Sequence, residues 1–281
     1  MASSSGKYTS KLVGQHVLVF GGTSGIGFCV AEAAFEHGAH LIISSSNQSK
    51  LDKTVARLKE TYPAQSEKQT ITTRVCDLAD AANLDANIQS LFEEATNGGT
   101  VKLNHVAFTA GDLLSRPPLE GLSPDAIYSG MNVRFVAPAV MAKYIHKYVE
   151  LSPASSFTIT SGVRSQKPAP GWTMATAISS AAEGLARGLA MDLKPIRVNA
   201  VAPGAVHTEL FSLFPDLDGA LEMFRQASTT GTVGKPEDLA ESYLYLMKDQ
   251  FVTGTVIQSN AKQGVDYPLG VVWGQQTDCK T

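Results

Sequence analysis

Apolar residues fall along this chain in short blocks, separated by glycines and polar turns. "HVLVF" (16–20) is the first block and predicts a buried strand. Glycines follow, and then "FCVAEAAFEHG" (28–38) shows helical spacing that stops at Gly38. "LIIS" (41–44) predicts a second strand and "QSKLDKTVARLKETY" (48–62) an amphipathic helix. "ITTRVC" (71–76) predicts a third strand, with a helix over 80–95 after it. Further strands are expected at "NHVAFT" (104–109), "SFTIT" (156–160) and "IRVNAVA" (196–202). Helices are expected over 123–149 and 174–193, and a last one over 236–247. Strands that read as unbroken apolar runs are buried on both faces, and their alternation with helices implies βαβ units. Right-handed crossovers then give a doubly wound, Rossmann-type parallel sheet in a single α/β domain. That domain is expected over 11–281, after a frayed polar arm over 1–10. "SLFPDLDGALEMFRQAST" (212–229) is long for a simple connection and predicts a substrate lid over about 205–232.

Composition narrows the class of function. The 281 residues are 43% hydrophobic and carry a net charge of −3, as in a soluble globular protein. Nothing in that balance calls for nucleic acid or a membrane surface. No apolar run is long enough to span a bilayer, and the polar first residues lack a signal-peptide core, so a cytoplasmic location is expected. Three scattered cysteines, Cys29, Cys76 and Cys279, suit a reducing compartment; neither they nor the six histidines form a metal-ligand pattern.

"FGGTSGIGF" (20–28) joins the first strand to the first helix. Its glycines, Gly21, Gly25 and Gly27, let the backbone approach a pyrophosphate, and the helix N-terminus supplies N–H groups and a positive dipole. Thr23, Ser24 and Ile26 complete this loop. After the second strand, where an NAD site places a carboxylate on the ribose 2′-OH, the chain has Ser44, Ser45, Ser46 and Asn47, with Lys50 beyond. Hydroxyls and an amine accept a 2′-phosphate that a carboxylate would repel, so NADPH/NADP+ is the expected cofactor.

The Gly-x3-Gly-x-Gly spacing resembles that of the short-chain dehydrogenase/reductase family, and the likeness continues along the chain. "CDL" (76–78) resembles the family's adenine-contacting Asp, here Asp77 with Leu78. "TAG" (109–111) resembles its Asn-Ala-Gly, with Thr109 for Asn, and brings Ala110 and Gly111 to the cofactor. "MNV" (131–133) carries the helix asparagine, Asn132, and "ITSG" (159–162) the active-site serine, Ser161. "VNAVAPGAVHTEL" (198–210) resembles the turn at the nicotinamide end, implying cofactor contacts from Pro203, Gly204, Val206 and Thr208. The resemblance also implies a homodimer or homotetramer packed through the helix over 174–193.

In ordinary members a tyrosine thirteen residues after that serine protonates the carbonyl oxygen, and a lysine four residues later lowers its pKa. Here those counts reach Met174 and Ile178, and no Tyr, Lys, His or Cys lies between Pro168 and Leu193. An acid is worth ~10²–10⁴-fold in such a step. Hydride addition to a neutral ketone makes an alkoxide that needs a proton; addition to an iminium makes a neutral amine that does not. A cationic C=N substrate therefore removes the need for the missing pair. Other readings stay open: a carbonyl reductase with a substitute acid, His207 being a candidate, or a non-catalytic NADP(H)-binding scaffold. "KPAPGW" (167–172) sets Trp172 in a proline-stiffened loop, where its ring would stack on an indole. Arg134 follows Asn132 by two residues; both face one cleft only if the helix is irregular there. Asp112 and Ser161 are candidates to orient a protonated amine. Asn-x-Arg, Pro-x-Pro-Gly-Trp and the lost pair together resemble a small fungal branch of the family. Its members are NADPH-dependent reductases that guide Diels–Alder or Pictet–Spengler closures in prenylated indole alkaloid biosynthesis. That branch's Diels–Alder members carry an aspartate where this chain has Ala169.

Overall fold

The computed structural model describes residues 6–111 and 118–262. Seven strands form one sheet: β1 (His16–Phe20), β2 (His40–Ser45), β3 (Ile71–Val75), β4 (His105–Phe108), β5 (Ser156–Thr160), β6 (Arg197–Pro203) and β7 (Val256–Ser259). All pairs are parallel, in the order β3-β2-β1-β4-β5-β6-β7. The chain winds outward from β1 to β3, then returns to β4 beside β1. That reversal opens a crevice at the carboxyl ends of β1 and β4, where such sheets hold ligands.

Helices cover both faces. α1 (Gly25–Glu36), α2 (Gln48–Thr61), the one-turn α3 (Pro63–Ser66) and α4 (Leu84–Ala95) follow the first three strands. α5 (Pro124–Met131) and α6 (Ala137–Tyr148) lie between β4 and β5, α7 (Thr173–Asp192) between β5 and β6, and α8 (Leu217–Ala227) and α9 (Pro236–Lys248) before β7. One core layer packs Phe20, Phe92, Phe108, Tyr148 and Phe157 under α4, α6 and α7; the other packs Val17, Val19, Phe35 and Tyr243 under α1 and α9. Among the described residues no helix is long and apolar enough to cross a membrane.

Several expectations need correction. The arm over 1–10 is a hydrogen-bonded turn from Gly6 onward, its carbonyl accepting the Thr9 and Ser10 N–H groups at 3.0 and 3.1 Å. The helix over 123–149 is not continuous: α5 and α6 are separated by a π-helical turn, Asn132–Val136, closed by the Ala137 N–H on the Asn132 carbonyl. The segment over 205–232, expected as a substrate lid, is not corrected but gains detail: it contains a 3-10 turn (Glu209–Leu213) and α8, whose Phe224 packs on Phe211 and Phe214 in a small aromatic cluster. β7 was not foreseen. It is a half-buried edge strand paired in parallel with β6, and the loop leading into it is tied down by Arg197 and Asn199, which both donate to the Val252 carbonyl.

Candidate active site

The glycine loop sits in the crevice. Gly21 adopts φ +77, and its N–H donates to the Ser44 carbonyl at 2.9 Å. A Cβ there would lie 2.7 Å from the Ala110 Cα, so the exits of β1 and β4 touch. Gly27 has no room either: a Cβ would meet the Gly21 carbonyl and the Thr109 hydroxyl. Thr109, which replaces the family's Asn, donates from its hydroxyl to the Phe20 carbonyl at 2.6 Å and so ties the two exits together. Ser24 occupies the N-cap of α1, yet its side chain makes no capping bond. The first-turn N–H groups of α1 therefore lack the usual side-chain acceptor, which is what a phosphate would supply. Gly25 approaches Thr208 at 3.1–3.2 Å from its would-be Cβ, so the start of α1 and the segment after β6 meet. Ile26 lies in the first turn of α1.

At the other expected end, Thr23 and Ser45 hydroxyls lie 3.4 Å apart. Ser44 is buried at the end of β2, while Ser46 and Asn47 are exposed. Asn47 caps α2 by accepting the Lys50 N–H at 3.0 Å, and the first turn of α2 holds no acidic residue. These residues fit a 2′-phosphate. Asp77 stands just past β3 and is exposed, accepting the Ala79 N–H at 2.9 Å. Leu78 is buried; its carbonyl accepts from the Asn132 side chain at 2.9 Å. On the far side Pro203 ends β6, Gly204 packs against Asn260, and Val206 is buried. His207 is exposed beside Phe211, its ring 5.7 Å away.

The π-helical turn answers the question of Asn132 and Arg134. A π-helix is wider than an α-helix and re-aims the residues within it. Asn132 reaches the exit of β3, and the Arg134 guanidinium packs over Gly111 at the exit of β4, within 2.6–2.7 Å of where a Cβ would stand. Both therefore serve the carboxyl-end crevice. Asp112 lies outside the described residues.

Ser161 follows β5 and is half-buried. Its hydroxyl donates to the Ser179 carbonyl at 3.0 Å and to the Glu183 carboxylate at 3.1 Å. Ser165 also donates to that carboxylate, which is buried on α7. Counting thirteen residues from Ser161 pointed at Met174 and Ile178. In the structure Ser161 meets α7 at the Ser179 backbone carbonyl and the Glu183 side chain, one helical turn apart, while Met174 is half-buried and Ile178 is buried at 4% exposure. Glu183 was missed because in sequence it looks like a solvated helix carboxylate. Its companions lie 18 and 22 residues upstream.

"APGW" forms a tight turn. The Trp172 N–H donates to the Ala169 carbonyl at 3.1 Å and Gly171 takes φ +75, as the third residue of a type II turn requires. The Trp172 ring carries the Arg164 guanidinium 4.7 Å from its centroid, a cation–π pair at the mouth of α7. Cys29 and Cys76 are buried, and desolvation pushes both thiols up to about 12, so neither is a thiolate nucleophile at neutral pH.

A model of the SDR-like Rossmann domain matches residues 8–265. The chain belongs to the short-chain dehydrogenase/reductase family. It is 44% identical over 252 residues to the short-chain dehydrogenase/reductase malC of Malbranchea aurantiaca, covering 89% of this chain and 94% of that one. The solved MalC reductase/Diels–Alderase from the same organism matches with a TM-score of 0.86 at 43% identity, over 92% of this chain and 99% of that one. A short-chain dehydrogenase from Burkholderia cenocepacia, solved in complex with NADP, shares the fold with a TM-score of 0.75 at 23% identity, over 91% of this chain and 99% of that one. As a short-chain dehydrogenase/reductase, the chain has the Rossmann frame that binds nicotinamide cofactors.

Proposed function

We propose that this short-chain dehydrogenase/reductase is an NADPH-dependent enzyme of indole alkaloid biosynthesis that acts on an iminium or related cationic C=N intermediate and assists its stereoselective cyclisation. One observation carries the reading. The cofactor cradle retains its close approaches at Gly21 and Gly27, while Met174 and Ile178 stand where the family has tyrosine and lysine, and α7 meets Ser161 through the Ser179 carbonyl and the Glu183 carboxylate. A bound NADPH would supply hydride. The chain's own residues then hold a substrate whose reduced product needs no proton. Trp172 and Arg134 border its pocket, and Ser161 orients its nitrogen. The name of the Malbranchea relative, a reductase/Diels–Alderase, supports a joint reductive and cyclising role. Ala169 puts no carboxylate between the two prolines, which favours a Pictet–Spengler type of closure over a Diels–Alder type. Enzymic closure of either type rests on holding one folded conformer in register.

The same reading makes the protein a homodimer or homotetramer. α7 presents an exposed Met191 and small residues at Gly184 and Gly188 with open space around them, a surface on which a second copy's helix fits closely. Light scattering on the full chain would return at least twice the mass of one chain.

The test of activity is anaerobic incubation with deuteride-labelled NADPH and a preformed indole iminium, followed by chiral mass analysis. Label in the product is expected from reduction, and unlabelled cyclised product from templated closure. Tight cofactor binding with no product from any C=N substrate would sink the proposal.

A further inference from the structure

Ser161 is held in an unusual way for a residue expected to face a substrate. A serine hydroxyl has one hydrogen to donate and two lone-pair sites that accept. At Ser161 the two partners in range are the Ser179 carbonyl and the Glu183 carboxylate, and both are acceptors. The single hydrogen is therefore committed toward α7. What Ser161 can offer to the crevice is lone pairs. Such a group receives a hydrogen bond from an N–H and has none to give to a carbonyl oxygen.

Glu183 enforces this arrangement. Its side chain is 8% exposed, and Ser165 anchors the same carboxylate oxygen, Oε1, that Ser161 reaches. The other oxygen, Oε2, has Arg187 at 3.9 Å, a long contact from a side chain that is 56% exposed. Buried carboxylates need hydrogen-bond donors or cations, and among the described residues two hydroxyls and one distant guanidinium share that task. The negative charge is thus only partly countered by a cation, and it lies directly behind Ser161.

We infer that Glu183 is a positioning residue that fixes Ser161 as a hydrogen-bond acceptor, so that the site selects a cationic ligand bearing an N–H, a protonated imine or secondary amine, over an isosteric ketone. This deepens the C=N reading and rests on it. It assigns two separable effects: lone pairs on Ser161 read the N–H, and the Glu183 charge favours the cation.

Three probes separate them: the protonated cyclic imine of tryptamine, its N-methylated iminium, which keeps the charge without an N–H, and the corresponding ring ketone. Affinities are measured by calorimetry on the full chain with saturating NADP+. The wild type is expected to bind the protonated imine about tenfold tighter than the N-methyl iminium, the factor that follows from one charge-assisted hydrogen bond of roughly 1.5 kcal/mol. Ser161→Ala brings that ratio to about one. Glu183→Gln keeps an acceptor for the serine hydrogen, so the N–H preference survives while the preference of cation over ketone falls. Glu183→Ala loses both; if it does not fold, the Gln and Ser161 variants still decide. Unchanged melting temperature and NADP+ affinity in those two variants set aside a merely structural effect. Equal binding of protonated imine and N-methyl iminium by the wild type overturns the inference and leaves the C=N reading standing. Tight binding of the ketone with no binding of either cation overturns both.

Discussion

Gly27 and Gly130 are both helical glycines, yet a methyl group would have opposite effects at them. At Gly27 it would strike the Gly21 carbonyl and the Thr109 hydroxyl, where backbone cannot yield. Gly27→Ala is expected to cost about 1–3 kcal/mol of stability through overpacking and to weaken NADP+ binding at least tenfold, read by thermal melting and titration. At Gly130 nothing lies within 4 Å of the added carbon, and Gly130→Ala should gain roughly 0.5–1 kcal/mol from reduced chain entropy. The paired exchange Met174→Tyr with Ile178→Lys carries its own expectation. Ile178 is buried, so a lysine there pays desolvation. The double variant should melt below Met174→Tyr alone and show no NADPH oxidation with a ketone above the wild type's. Significant ketone turnover would show instead that a tyrosine and lysine can be seated at those two positions. The glycine loop was legible in sequence because its chemistry is local, one strand end and one helix start. The partnership of Ser161 with Glu183 was not, because a helix must form and dock before residues 22 positions apart can meet.

Among the elements, the strands with unbroken apolar runs were legible, and β7 was not. Its residues are all half-buried, so no period stands out. What holds it is its parallel pairing with β6, while Arg197 ties the last carbonyls of α9, where a cation is favoured, and the loop that leads into β7. The long helical pattern from 123 to 149 was right in type and wrong in continuity, since periodicity does not reveal one widened turn. The pairing of β4 with β5 carries a pH signature. His105 lies opposite Ser156, with its Nδ1 2.9 Å from the serine hydroxyl, and burial together with nearby Arg197 pulls its pKa down to about 3. Between that value and the ordinary 6.5, the unfolded chain holds a proton that the folded one does not. Stability from this residue is therefore complete above about pH 6.5 and is lost as pH falls toward 3, at up to about 1.4 kcal/mol per pH unit. Denaturant titrations from pH 7 to pH 4 should show that slope, and His105→Gln should flatten it; an unchanged slope would remove His105 as its source.

For the whole molecule, two apolar layers around a sheet buried on both faces were implied by the alternation of strands and helices, and right-handed crossovers implied the doubly wound class, while the strand order came only with the structure. A bound cofactor would link the two ends of that architecture, since its expected contacts come from the exits of β1, β2, β3, β4 and β6. Ligand binding to the folded state alone raises stability by about 2.7 kcal/mol at a hundredfold excess over Kd. NADP+ is thus expected to raise the melting temperature by several degrees and NAD+ at equal concentration by much less. An equal or larger shift with NAD+ would refute the role given to Ser45, Ser46 and Lys50. The turn at Asn132–Val136 has a consequence for how this chain can change. A π-helical turn amounts to one residue more than an α-helix would use, and each residue advances a helix by about 100°. It therefore works as a phase adapter: deleting a single residue there would let α5 and α6 fuse into one continuous rod and rotate Arg134 off Gly111 without altering any contact residue. Loss of the Arg134–Gly111 contact in a descendant would then be written in the length of this segment, where comparing side chains position by position would find nothing missing.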